Sequence, residues 1–140
     1  PRAVDVAGLD CSVAQAGGCA LSGRPSAGRM GVDVENGDRS LNVSGVARKF
    51  MAPCEQAMLN ALEPDARRRT LLRLWTCKEA MSKATGDALS APFQRIAIAL
   101  DGDGVRVAAG PPPYTPERWT LHAIRAPGDH LATIALWQGD

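Results

Sequence analysis

Apolar positions along the chain follow two rhythms. From Val43 to Gly86 the spacing is mostly helical, whereas before and after it alternates or runs in short blocks. Met30 to Val34 reads as a buried strand. On it Asp33 and Glu35 stand two apart, so both project from one face. Val43 to Met51 predicts a helix with Val46, Ala47 and Phe50 on one side and Arg48 and Lys49 outside. Pro53 breaks that pattern and opens a second segment, with Met58, Leu59 and Leu62 apolar, which Pro64 ends.

The main helix begins at Pro64-Asp65, where a proline and an acid suit a first turn, and Gly86 is placed to end it. Leu71, Leu74, Trp75, Ala80, Met81 and Ala84 form its broad apolar face. Thr76, Glu79 and Lys83 share another face. Read alone, Glu79 and Lys83 are a surface ion pair worth about 0.3–0.5 kcal/mol.

Past Gly86, Ile96, Ile98 and Leu100 alternate with Ala97 and Ala99. Asp101-Gly102-Asp103-Gly104 then turns into Val105-Arg106-Val107, a hairpin. Pro111-Pro112-Pro113 is a stiff connector. Trp119 to Ile124 and Leu131 to Trp137 are two further strands, joined by Pro127-Gly128-Asp129. Ahead of Met30, Val4-Asp5-Val6 reads as a short strand and Ala14 to Leu21 as one small-residue strand. Gly23 to Gly28 is turn chemistry.

Composition narrows the classes. A length of 140 residues suits one compact domain, and 45% hydrophobic with 22% charged residues excludes a disordered chain. A net charge of +1 supplies no bulk attraction for nucleic acid, although Arg67-Arg68-Arg69 and Arg73 cluster locally. No apolar run approaches the roughly 20 residues of a membrane span. Cys11, Cys19, Cys54 and Cys77 form no C-x-x-C pair and have no His at zinc-ligand spacing. They read as reduced thiols of a cytoplasmic protein. His122 and His130 lack partners at a telling spacing and read as non-catalytic.

The acids on the Met30–Val34 strand allow two readings. Either they are solvated at an exposed strand end, or a cation relieves their repulsion. A resemblance favours the cation. Gly31-Val32-Asp33-Val34-Glu35, followed by W-T-C-K-E-A-x-x-K-A-T-G from Trp75 to Gly86, resembles the paired signature of the 4′-phosphopantetheinyl transferases. The gap is 45 positions from Asp33 to Lys78, and the match is closest to the Sfp-type branch. Arg48-Lys49-Phe50 with Glu55, Gly86-Asp87-Ala88-Leu89 and the closing A-P-G-D-H-L-A-T-I-A-L are similar to the family's R-F-F-x-x-x-E, G-x-G-L and last-hairpin segments.

The resemblance implies an α+β fold of the transferase type, with a three-stranded antiparallel sheet and a long helix packed across it. It implies Mg²⁺-dependent transfer of the 4′-phosphopantetheine arm of coenzyme A to a serine of an acyl or peptidyl carrier protein, releasing 3′,5′-ADP. By motif position Asp33, Glu35 and Glu79 hold the metal, and Lys78 and Lys83 contact phosphates. Glu79 is the candidate base, with Glu55 a weaker alternative. Leu9-Asp10-Cys11-Ser12 stands where the family has a coenzyme A-binding segment, with Cys11 in place of its His. Arg48, Lys49 and the Arg67–Arg69 run are candidate docking residues for an acidic carrier. A catalytically degenerate module that binds carrier protein or coenzyme A is the alternative.

The Sfp-type architecture is a pseudo-dimer of two similar halves, whereas the smaller holo-acyl-carrier-protein synthase branch is about as long as this chain. The expectation is one transferase domain over 1–140. Residues 1–28 would be a linker and the end of a preceding half, and 29–140 the motif-bearing half. The chain is then a fragment, an excised synthase domain or a short oligomeric form, and self-association or pairing with a missing half follows from its open apolar surface.

Overall fold

In a computed structural model, residues 29–37 and 40–139 are described in full. Of the preceding segment, only the backbone of three strands is described. These are β1 (Arg2–Val6), β2 (Ser12–Ala16) and β3 (Cys19–Gly23), in the order β1-β3-β2. β1 runs parallel and β2 antiparallel to β3. The single strand expected over Ala14–Leu21 is therefore two strands. Small residues carry no period that would mark the break.

The central sheet is antiparallel in the order β4-β8-β7, built from β4 (Arg29–Asn36), β7 (Trp119–Ala126) and β8 (His130–Trp137). Between β4 and β7 come three helices, α1 (Val43–Phe50), α2 (Pro53–Asn60) and α3 (Pro64–Thr85), then the hairpin β5 (Ala97–Asp101) and β6 (Gly104–Ala109). The α+β class and the three-stranded sheet under a long helix match the expectation.

Alternation along β4 sorts its two faces. Met30, Val32 and Val34 pack with Ala126, Ala132 and Ile134 in one apolar cluster. The other face carries Gly31, Asp33 and Glu35 towards α3. The larger cluster lies on the helix side, where Leu71, Leu74, Cys77, Ala80 and Met81 meet Phe93, Ile96, Tyr114 and Trp119. At about 25 cal/mol per Å² of apolar surface, a fully buried Leu or Ile contributes roughly 1.5–3 kcal/mol, so this cluster is what fixes α3.

Helix α3 is 22 residues long, has Pro64 in its first turn, and ends on Gly86 at φ 87°, ψ 1°. That left-handed conformation is inexpensive only for glycine. Two positions on, Ala88 stands at φ 50°, where the similar family segment G-x-G-L has its second glycine.

Candidate functional site

The site forms where β4 passes beneath the last turns of α3. A Cβ added at Gly31 would stand 1.7 Å from the Ala80 carbonyl oxygen and 2.7 Å from the Ala84 nitrogen. Glycine is therefore the residue that lets strand and helix approach this closely. Ala80 and Ala84, both buried, keep the helix side of the contact equally small.

This approach brings Lys83 to the strand. Its Nζ donates to Asp33 Oδ1 at 2.9 Å, and the Lys83 side chain stays 37% exposed while that of Asp33 is 9% exposed. Lys83 thus bonds across to the strand in addition to sharing a helix face with Glu79. The second oxygen, Asp33 Oδ2, is buried with no hydrogen-bond partner. Burial pushes the Asp33 carboxyl up from 3.8 to about 7. Lys83 opposes that rise, and the charges of Glu35 and Glu79 add to it. Both sequence motifs therefore act on one carboxyl group.

The chemistry of this cluster suits a hard divalent cation. Three carboxylates supply oxygen donors, one buried Asp33 oxygen lacks a hydrogen-bond partner, and the Glu35 and Glu79 charges both act on Asp33. Among the described residues, no three acidic, histidine or cysteine side chains already stand grouped as a ligand cage.

Beside Asp33 lies a small hydroxyl layer. Thr133 is its cross-strand neighbour on β8. The Thr133 hydroxyl donates to Thr76 Oγ1 at 3.2 Å, Thr76 donates to the Arg73 carbonyl at 2.9 Å, and Cys77 Sγ lies 3.6 Å from Thr133 Oγ1. Thr76 is thus turned inward, although it shares a helical stripe with Glu79 and Lys83. Burial raises the Cys77 thiol to about 11, which makes it an inert packing group.

Lys78 is engaged inside the fold. It is fully buried, and its ammonium is bonded to Glu55 Oε1, to the Phe50 carbonyl at 3.1 Å and to the Phe93 carbonyl at 2.9 Å. Desolvation lowers its pKa, and Glu55 holds against that shift. All three ammonium protons have acceptors inside the protein, so a phosphate contact by Lys78 would require one of these bonds to be given up.

Glu55 is committed as well. Oε1 also accepts the Ala52 N–H at 2.8 Å, which starts α2, and Oε2 accepts the Ile98 N–H at 2.8 Å. This carboxylate ties α2, α3 and β5 together, and the geometry does not favour it as a base. The usual Ser/Thr-x-x-Glu capping signature is absent because the N-cap is Ala52.

The arginine run also has work inside the fold. Arg67 donates to the carbonyls of Leu59 and Leu62 at 2.9 and 2.8 Å, closing the end of α2. Arg68 bonds to the Gly37 carbonyl and to Asp65, and Arg69 to Asp129 at 3.0 Å. The run staples the N-terminal half of α3 to the end of α2 and to the ends of the sheet, a structural use of these cations beside the docking expected of them. Arg48 and Lys49 are exposed on α1. Cys11 lies outside the described residues, as does the side chain of Ser12, which opens β2. His122 is exposed. His130 is buried, with Nδ1 against the Pro127 carbonyl.

One cluster had no sequence signal. The Tyr114 hydroxyl donates to Asp87 Oδ2 at 2.6 Å and lies 2.8 Å from Thr85 Oγ1, pinning the turn after α3. Tyr114 follows the proline connector, 27 positions from Asp87, so no local spacing links them.

Comparison with known proteins bears on this geometry. Residues 29–135 match the model of the 4′-phosphopantetheinyl transferase superfamily. The 4′-phosphopantetheinyl transferase HetI of Nostoc sp. is 36% identical over 72 residues, covering 51% of this chain and 30% of HetI. A Synechocystis sp. relative is 34% identical over 85 residues, 61% of this chain and 35% of its own length. The chain thus aligns with about a third of the length of these curated relatives. Two solved structures share the fold. The Thermotoga maritima holo-[acyl-carrier-protein] synthase superposes with a TM-score of 0.60 at 13% identity, covering 80% of this chain and 64% of that one. The Bacillus anthracis holo-(acyl-carrier-protein) synthase, solved in complex with CoA (3′,5′-ADP), gives 0.59 at 14% identity, covering 80% and 96%.

Proposed function

Because the chain belongs to the 4′-phosphopantetheinyl transferase superfamily, we propose that it transfers the 4′-phosphopantetheine arm of coenzyme A to a serine hydroxyl of a carrier protein and releases 3′,5′-ADP. One observation carries this reading. The Lys83–Asp33 bond joins the two signature segments into a single charged cluster that also takes in Glu35 and Glu79.

Asp33, Glu35 and Glu79 would hold a magnesium ion, which when bound would screen the pyrophosphate and polarise the attacked phosphorus. Lys83, bonded to Asp33 yet reaching solvent, is suited to move its ammonium to a phosphate oxygen. Glu79, half-buried one turn before it, is the base that takes the serine proton. The serine oxygen then bonds to the phosphorus bearing the pantetheine arm, and the bond from that phosphorus to the bridging oxygen of 3′,5′-ADP breaks. Carrier proteins are acidic, and Arg48 and Lys49 on exposed α1 are the docking cations.

The test incubates the chain with magnesium, coenzyme A and an apo carrier protein. The carrier should gain the mass of one phosphopantetheine. Glu79→Gln should abolish that gain while leaving the thermal melt unchanged. Metal-dependent coenzyme A binding without any mass gain would instead identify a non-catalytic module.

A further inference from the structure

A cleft of about 250 Å³ lies outside the Asp33 cluster, against the middle of α3, with β7 and β8 as its floor and the β5–β6 hairpin beside it. The transfer reading gives it no role. Two arginines line it. Arg73 belongs to α3 and Arg125 to β7, and the buried Thr76 and Thr133 are lining residues as well. Leu131 and Val105 supply apolar wall, and Asp103 stands among the lining residues.

Each of these features selects among ligands. Two arginines and one aspartate leave the cleft with one net positive charge, which suits a monoanion and disfavours a dianion such as phosphate. A guanidinium fork matches a planar carboxylate with two parallel N–H···O bonds. Arg73 donates one N–H to the Gly102 carbonyl at 2.8 Å, so its fork is held in place by the hairpin turn while further donors remain. The leucine and valine wall rewards a ligand with an apolar body behind its head. The volume admits only a small molecule.

We propose that this cleft binds a small amphipathic monocarboxylate, with its head between Arg73 and Arg125 and its apolar body over Leu131 and Val105. Thr76 and Thr133 of the cleft are the hydroxyl pair beside Asp33, with Thr133 its cross-strand neighbour. Occupancy of the cleft is therefore one hydroxyl layer removed from the cluster proposed to act on coenzyme A, yet it does not depend on that chemistry.

The experiment titrates hexanoate into the full chain and follows backbone amide shifts. Saturable shifts at Thr76, Arg125 and Thr133 below about 10 mM are expected. Arg125→Gln, at an exposed position, should weaken binding at least about tenfold with the melt unchanged. Arg73→Gln should do the same and also shift the Gly102 amide. Acetate, lacking the apolar body, should bind about tenfold more weakly than hexanoate. The proposal is overturned if no saturation occurs below that concentration, if Arg125→Gln leaves affinity unchanged, or if hexanamide or inorganic phosphate binds as tightly as hexanoate.

Discussion

Lys83 reaches Asp33 across 50 positions of sequence, and its Nζ sits 2.9 Å from one carboxylate oxygen while the other is buried without a partner. The pair is asymmetric. The lysine is open to water, and the aspartate bears the burial.

That asymmetry sets a pH dependence. In the fold Asp33 titrates at about 7, against 3.8 when unperturbed. Between those values the folded protein holds a proton that the unfolded chain releases. Stability contributed by this group therefore falls as pH rises from about 4 through 7, the reverse of a salt-bridged acid whose pKa is depressed. Asp33→Asn should flatten the slope and stabilise the apoprotein at pH 8 by roughly 2 kcal/mol. Magnesium should raise the melting temperature more at pH 8 than at pH 5.5, and this gain should vanish in Asp33→Asn. Urea melts across the range, with and without the metal, measure both effects. A wild-type stability that rises from pH 5 to 8 without metal would contradict the assignment.

Gly31 determines whether the pair can form. Its substitution by Ala would drive a Cβ into the Ala80 carbonyl, backbone against backbone, with no flexible side chain to yield. The expected cost is about 3 kcal/mol or more, together with separation of β4 from α3. Chemical denaturation gives the first quantity. Loss of the pH-dependent term above would report the second, since an Asp33 released to solvent titrates normally. A variant as stable as the parent would show that the helix can shift at no cost.

Much of this arrangement was legible because it is periodic. A period of two along β4 put Asp33 and Glu35 on one face, and the apolar stripe with Pro64 and Gly86 bounded α3. Contacts made by long side chains to distant carbonyls have no period. Lys78 meets a glutamate 23 positions away, and the Arg67–Arg69 run meets main-chain oxygens and an aspartate on other segments. A lysine inside a signature motif therefore reads as a phosphate contact and a run of arginines as a docking face, whereas in the fold both also have internal partners.

The buried Lys78–Glu55 pair is a structural bond, and its removal should be read in stability. Lys78→Met strands a buried carboxylate and should cost about 3–5 kcal/mol. The double variant Lys78→Met with Glu55→Gln removes both charges and should recover at least about 1 kcal/mol against the sum of the single changes. In a transfer assay at a temperature where Lys78→Met is folded, the KM for coenzyme A should stay within about twofold of the parent. A tenfold rise in KM with stability intact would return Lys78 to the phosphate.

The two basic segments should separate by the same kind of measurement. Arg67 caps the carbonyl end of α2 from α3, so Arg67→Ala leaves acceptors at Leu59 and Leu62 short of a donor. The expected loss is about 1–3 kcal/mol of stability, with no change in the KM for carrier protein. Arg48 and Lys49 are exposed, and the Lys49 ammonium lies 5.3 Å over the Phe50 ring. Reversing both charges, Arg48→Glu with Lys49→Glu, should leave the melt within about 0.5 kcal/mol of the parent. It should raise the carrier KM about tenfold with kcat unchanged, because a docking cation acts on encounter and not on the chemical step. The salt dependence of kcat/KM should flatten in the same variant, since the screened attraction has gone. If charge reversal at Arg48 and Lys49 leaves KM and its salt dependence untouched, the carrier docks elsewhere on the surface.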